Sequence, residues 1–420
     1  MDAPADFLFA RRREHLTFKA NLRSTRYGWL RLTPAYSVHL VRELLQAHAR
    51  PGGRVLDPFC GTGTTALVCA EQGVRCDTTD INPFLVWLAR AKTRSYGNTA
   101  LAAAGSAGSR VAHAFSAGRS EGAWAPPLHQ IEKWWEPATL QALGRGATVL
   151  RNLRATLSGP AVDLLDVAFC RTLIDHANVS FGHQSMSFRK SDAPVSERRP
   201  KPHGAQVAAS WTAHLEQILS SARSPVPGQA NVVHGDARNL QDVLAPDTYD
   251  CVVTSPPYPN RMSYVRELRP YMYWMGYLAA SRDAGELDWK AMGGTWGCAT
   301  SNVGKWSPDG SRVIRSEGFE QILAAIARRS ALLSRYVHKY FDDFVQHADG
   351  LFQVVAPGGT AHYVVGNSKF YDVVVPVERI IGDVLAAAGF ERIDVQPIRK
   401  RNSKKELYEY LVHARKPDLK

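Results

Sequence analysis

Residues 55–65 read VLDPFCGTGTT. The apolar run stops at Asp57-Pro58, which predicts a strand over 54–57 that ends in a turn. Gly61 and Gly63 let that turn close tightly and bring its backbone near a ligand. A helix is expected over 64–72, stopped by Gly73, and its first N–H groups suit a carboxylate or phosphate. A second strand is predicted over 75–80 and a helix over 83–93. Asp80, at the end of that strand in DTTDINP, is placed to accept hydrogen bonds from ribose hydroxyls. A Gly-rich turn alone also occurs in dinucleotide enzymes and in plain tight turns. This one has neither GxGxxG nor the lysine of a phosphate-binding loop, and Asp80 is what sets it apart from an ordinary turn.

Strand and helix continue to alternate along the chain. Strands are predicted over 231–235, 249–254, 360–365, 393–396 and 407–413. A long helix is predicted over 319–344, from apolar residues at helical spacing, with Pro357-Gly358-Gly359 ending that region. Another helix is predicted over 377–388. Such alternation implies an α/β fold with a mostly parallel sheet and helices on both faces. Two stretches fall outside the pattern. The first, 96–228, reads as a mostly helical insertion containing the apolar run LLDVAFCRTLI (164–174). Within it, residues 100–123 are rich in Ala, Gly and Ser, the composition of a weakly ordered linker. The second, 279–316, is rich in Gly, Trp and polar residues. The division is therefore 1–95 for an N-terminal segment and the first half of the core, 96–228 for the helical insertion, 229–278 for core, 279–316 for the second insertion, and 317–420 for the rest of the core.

The second motif is YDCVVTSPPY, residues 249–258. Consecutive prolines fix φ and donate no N–H, so Pro256 and Pro257 make a rigid turn that aims carbonyls beyond the strand end. A flat exocyclic amine there can donate to the Pro256 carbonyl and the Ser255 hydroxyl, with its ring stacked on Tyr258. The plain alternative is a turn that only terminates a strand. If strands 54–57 and 249–254 are neighbours where strand order reverses, both turns open into one crevice.

DPFCGTGTT together with TSPPY resembles the S-adenosylmethionine-dependent amino-methyltransferases of DNA, in particular the N4-cytosine group. The resemblance spans most of 30–95 and 230–415. It implies a Rossmann-like methyltransferase fold with a seven-stranded sheet whose last strand is antiparallel. It also implies S-adenosylmethionine as cofactor, held by Asp57, Phe59, Gly61, Gly63 and Thr65 at the turn. Asp80 then serves the ribose, Ile81 the adenine ring and Asp236 the adenine amine. Pro34 and Tyr36 of RLTPAYS loosely fill the place of an upstream segment that completes the cofactor pocket. Catalysis falls to Ser255, Pro256, Pro257 and Tyr258. Serine rather than aspartate at the head of SPPY favours cytosine, a carboxylate there being commoner for adenine. The implied substrate is a flipped-out cytosine in double-stranded DNA, methylated at N4 within a short recognition sequence. A partner restriction endonuclease follows from the family. Adenine N6 in DNA, or a guanine amine in RNA, is the alternative within the same chemistry. A silent nucleic-acid-binding protein on this fold is the alternative of another class. Family members often place the target-recognition region later than the insertion between the second and third strands, so either insertion is a candidate for DNA contact.

The composition agrees with a polyanionic partner. The chain has 420 residues and a formal charge of +12, with 45% hydrophobic and 21% charged residues. This is globular composition, with no apolar run long enough to span a bilayer, and it reads as cytoplasmic. Residues 11–31 carry seven Lys/Arg against one Glu. FRKSDAPVSERRPKPH (188–203) carries five against two acids, and RKRNSKK (399–405) five against none. Arg189, Lys190, Arg198, Arg199, Lys400 and Arg401 are the candidate phosphate contacts, and each segment is equally a solvated surface. None of the six cysteines is spaced CxxC, so no disulfide framework or metal site is expected. No Pro-Cys dipeptide of the ring-carbon methylating type occurs. YVRELRPYMYWMGYL (264–278) reads as a core helix behind the SPPY turn rather than a base-stacking surface. His176, Asn178 and His183 are candidates for lining a cleft.

Overall fold

The computed structural model describes residues 16–17, 19–22, 25–31, 35–118, 123–180, 187–189, 204–260, 263–294, 298–308, 310–401 and 406–418. Seven strands form one sheet: β1 (Arg54–Asp57), β2 (Arg75–Asp80), β3 (Ala230–His234), β4 (Tyr249–Thr254), β5 (Val355–Gly366), β6 (Glu391–Lys400) and β7 (Tyr408–Arg415). Their order is β6-β7-β5-β4-β1-β2-β3. β1 lies parallel between β2 and β4, with Val55 in register with Cys76 on one side and Cys251 on the other. β7 alone runs antiparallel to its neighbours β5 and β6. This is the Rossmann-like α/β methyltransferase architecture expected above.

The eight-residue and longer helices are α1 (Val38–His48), α2 (Thr64–Glu71), α3 (Pro83–Thr93), α4 (Asn98–Ser116), α5 (Pro137–Arg154), α6 (Gly159–Asp175), α7 (Gly204–Ala222), α8 (Tyr264–Trp274), α9 (Ser281–Lys290), α10 (Cys298–Lys305), α11 (Phe319–Ala327), α12 (Ala331–Val354) and α13 (Val377–Ala387). Successive side chains of a strand face opposite ways, and the two faces of β1 show it. Val55 packs with Val41 of α1 and Leu67 of α2. Leu56 packs with Phe344 of α12 and Ile381 of α13. Helices therefore cover both faces, and consecutive residues of β1, β2 and β4 are buried without alternation.

Residues 100–116 of the Ala/Gly/Ser stretch are not a linker but part of helix α4, nineteen residues long, and 119–122 lie outside the described residues. Alanine is the best helix former, and small residues let neighbouring helices close in. A Cβ on Gly108 would lie 2.1 Å from Leu215 of α7, and one on Gly146 of α5 would lie 2.1 Å from the Phe115 ring. The run 164–174 lies in α6 and is largely buried. α3 and α8 join this helical region to the sheet through one shared apolar cluster.

Two further expectations are corrected. The single helix over 319–344 is two, α11 and α12, separated where the Ser330 hydroxyl caps Leu333 N at 3.3 Å. The Pro-Gly-Gly segment lies inside β5, where the pairing with β4 shifts register between Tyr249 and Cys251. α8 is a core helix, with Tyr271 stacked on Phe84 at 5.6 Å between ring centroids. Among the described residues no helix is long and apolar enough to cross a membrane, and no group of three His, Cys, Asp or Glu is arranged to hold a metal ion.

Candidate active site

The turn after β1 is held from beneath by Asp57, which has no exposed surface. Its Oδ1 accepts from Phe59 N at 3.1 Å and Thr254 Oγ1 at 2.6 Å, and its Oδ2 from the Tyr36 hydroxyl at 3.5 Å. Burial pushes this carboxyl up from its ordinary range, and hydrogen bonds from Thr254, Thr65, Phe59 and Tyr36 oppose that. The Tyr36 hydroxyl also meets Thr65 Oγ1 and lies 3.3 Å from Val253 O, which competes with Asp57 for its one hydrogen. Gly63 has φ +76°, and a Cβ there would lie 2.9 Å from Ala89 of α3. Glycine is required on both counts. As the residue preceding α2, Gly63 also brings no side chain to cap the helix, so the first N–H groups stay open to a ligand.

Asp80 ties the turn to β2. Its Oδ2 accepts from Gly61 N at 2.9 Å and its Oδ1 from Asn82 N at 2.8 Å. Burial pushes the carboxyl up to about 7 against these two bonds. Each oxygen keeps a further lone pair for a ligand hydroxyl. Ile81 and Leu85 add apolar wall beside it.

The SPPY turn follows β4. The Tyr340 hydroxyl of α12 donates to Pro257 O at 2.7 Å and so fixes the proline turn. The Tyr258 ring lies against the backbone of Gly366 at the end of β5. A Cβ on Gly366 would sit 2.9 Å from Tyr258 Cε2. The Arg401 guanidinium lies 5.7 Å from the centre of the same ring.

Both turns open into one cavity of about 280 Å³. Of the expected cofactor residues, Tyr36, Phe59, Gly61, Asp80, Ile81 and Asp236 line it, as do Ser255, Pro256, Pro257 and Tyr258. Asp57, Gly63 and Thr65 lie behind the wall and brace it rather than face the cavity. Asp236 has a competing duty. It accepts from Arg238 N at 3.0 Å and forms an ion pair with the Arg238 guanidinium at 2.5 Å, and Arg238 pairs in turn with Asp343 at 3.1 Å.

Sequence reasoning missed several lining residues. Lys290, Ala291 and Met292 come from the 279–316 insertion, which thereby closes one side of the cavity. Arg399 and Glu409 line it as a cross-strand pair with bonds of 2.6 and 2.7 Å. Asn260 lies just past the SPPY turn. A period-2 reading of β6 and β7 marks which residues share a face, but it cannot say that this face meets the cavity.

Other expectations scatter. Arg401 lines the cavity instead of an outer surface, and its Nη1 donates to Asn367 O at 3.2 Å. Lys400 is exposed near Tyr408. Arg189 is exposed at the hairpin Val179–Ser180/Ser187–Phe188, its Nε donating to Val179 O at 3.0 Å. Lys190, Arg198, Arg199, His183 and Pro34 lie outside the described residues. Asn178 and His176 do not line the cavity. Arg26, within the basic 11–31 segment, is buried and donates to five backbone carbonyls, so it is a structural cation.

The site thus combines an uncapped helix N-terminus, a carboxylate with spare acceptors, an apolar wall and a rigid turn bearing a hydroxyl and an aromatic ring. That set fits a ligand with a carboxylate at one end, a ribose in the middle and a flat ring beyond, together with a second planar group at the SPPY turn.

Residues 26–90 match the N6/N4 methyltransferase family described as DNA methylase. Over 94% of the chain, the sequence is 22% identical to the type II methyltransferase M.AvaI of Nostoc sp., covering 86% of that protein. It is 20% identical to the type II methyltransferase M.BsoBI of Geobacillus stearothermophilus, over 95% of this chain and 85% of that one. Among solved structures, a SAM-dependent methyltransferase of Methanosarcina mazei aligns with 10% identity and a TM-score of 0.33, over 89% of this chain and 97% of that one. The family match covers β1, β2 and the segment between them.

Proposed function

We propose that the protein is a DNA methyltransferase that uses S-adenosylmethionine to methylate the exocyclic N4 amine of a flipped-out cytosine in double-stranded DNA. The observation that carries this reading is the single cavity lined by Gly61 and Asp80 on one side and Ser255–Tyr258 on the other. A cofactor turn and an amine-presenting turn belong together only in a transfer reaction between their two ligands.

Bound S-adenosylmethionine supplies an electrophilic methyl group on a sulfonium. The chain's own residues do the rest. The first turn of α2 holds the cofactor's carboxylate, and Asp80 accepts from its ribose hydroxyls. The cytosine amine is a weak nucleophile because its lone pair is delocalised into the ring. The Pro256 carbonyl and the Ser255 hydroxyl oxygen accept the two amine hydrogens, turn the lone pair toward the donor and draw electron density onto the nitrogen. Tyr258 supports the ring by stacking. Positioning and electrostatics supply the acceleration, with no covalent enzyme intermediate. The proton lost from nitrogen leaves along the hydrogen bond to Ser255 Oγ or Pro256 O, toward solvent.

Flipping the base costs a few kcal/mol, offset by stacking and phosphate contacts. The exposed Arg189 and Lys400 serve those contacts, and the 96–228 and 279–316 insertions embrace the duplex. Methylation mapping of plasmid DNA from cells expressing the protein tests the reading. N4-methylcytosine in one short sequence is expected. N6-methyladenine without N4-methylcytosine overturns the base assignment, and unmodified DNA overturns the activity.

A further inference from the structure

Lys92, on the last turn of α3, is a lysine with 1% of its surface exposed. Its Nζ donates to Thr62 O at 3.1 Å and to Tyr27 O at 3.3 Å. Thr62 is the central residue of the turn between Gly61 and Gly63. Among the described residues no carboxylate is paired with the charge, and burial keeps the neighbouring Cys60 thiol neutral. Arg26 closes the other side of the same helix end. Its Nη1 donates to Lys92 O at 3.0 Å, and its Nη2 to Ala222 O at 2.9 Å, at the last residue of α7, and to Ser224 O at 2.8 Å just beyond it.

Burying an ammonium is costly unless it is paired or fully hydrogen-bonded. Two carbonyls leave one of its three N–H donors to spare. Burial accordingly pushes the ammonium down to about 7. A methionine of similar length would fill the space without that cost. A lysine kept at such expense, directly under the turn, has a use if an anion arriving on the turn's other side holds its proton in place.

We infer that Lys92 is a positioning residue for the cofactor turn: its ammonium, seated between Thr62 O and Tyr27 O, sets the shape of the Gly61–Gly63 backbone and places a positive charge behind the N–H groups that receive the cofactor's carboxylate. The inference rests on the methyltransferase reading above and adds a residue that does not face the cavity.

Calorimetric titration of the full chain with S-adenosylmethionine tests it, on wild type, K92M and K92R. K92M should weaken cofactor binding about tenfold or more, while kcat at saturating cofactor and duplex affinity stay within about threefold; K92R should recover most of the loss. A K92M protein that binds cofactor like wild type overturns the inference. Wild type that binds no cofactor overturns the methyltransferase reading instead, so the two failures are distinct. If K92M does not fold, the wild-type Lys92 ammonium resonance, assigned by its loss in K92R, decides. It should shift on adding S-adenosylmethionine, and an unmoved resonance overturns the inference.

Discussion

Thr254 Oγ1 donates to Asp57 Oδ1 at 2.6 Å, and so the last residue of β4 is bonded to the last residue of β1. The residues lie 197 positions apart. Each immediately precedes one of the two turns that line the cavity. The bond lies beneath the cavity, in a region without solvent, where a polar contact is strong when made and costly when broken.

Replacing Thr254 with valine keeps the shape and removes the donor. The Asp57 carboxylate then loses its shortest partner while fully buried. The variant should lose about 1–3 kcal/mol of stability, and both cofactor binding and turnover should fall together. Thermal unfolding and calorimetry check this. A T254V protein as stable and active as wild type would show that the two turns are not coupled through this bond.

Ser255 and Asp80 should separate cleanly. Ser255→Ala should lose most turnover, on the order of a hundredfold, because an oriented hydrogen bond to the amine is gone. Its cofactor affinity should stay near wild type. Asp80→Ala should weaken the cofactor instead. The opposite pattern in steady-state kinetics would reverse the two role assignments.

Asp80 also predicts a pH dependence. Burial pushes its carboxyl up to about 7, and only the ionised form has full acceptor strength for ribose hydroxyls. Cofactor binding should therefore weaken as pH falls through that value and level off above it. Below it, the loss approaches about tenfold per pH unit, the limit for one linked proton. Titration between pH 6 and 8.5 checks the sign, and Asp80→Asn should flatten the curve.

Much of this was legible in the sequence. The turns advertise themselves: Asp57-Pro58 and Thr254-Ser255-Pro256-Pro257 break apolar runs that have no other way to end. The strands at 75–80 and 249–254 fall where the pattern puts them. Residues 100–123 misled because glycine and serine signal loops locally, whereas here small side chains make room for α7 against α4. Arg26 and Lys92 misled or stayed silent for a related reason. A basic residue on paper is a surface charge, and only the fold reveals the carbonyls gathered around it.

Gly366 carries a prediction that no local pattern offers. A methyl group there would press into Tyr258 at 2.9 Å. Gly366→Ala should displace the ring and reduce turnover by about tenfold while leaving cofactor affinity intact, since misplacement by about an ångström is costly to catalysis. Gly146→Ala is the stability counterpart. Its Cβ would meet the buried Phe115 ring at 2.1 Å, and overpacking of this kind costs about 1–3 kcal/mol.

The most direct measurement combines purified protein, S-adenosylmethionine labelled in its methyl group, and duplex plasmid DNA, followed by hydrolysis and separation of the nucleosides. One cavity serving both turns predicts that the label leaves the cofactor and appears in N4-methylcytosine. Label that stays on a cofactor the protein demonstrably binds, or that enters N6-methyladenine alone, would contradict it.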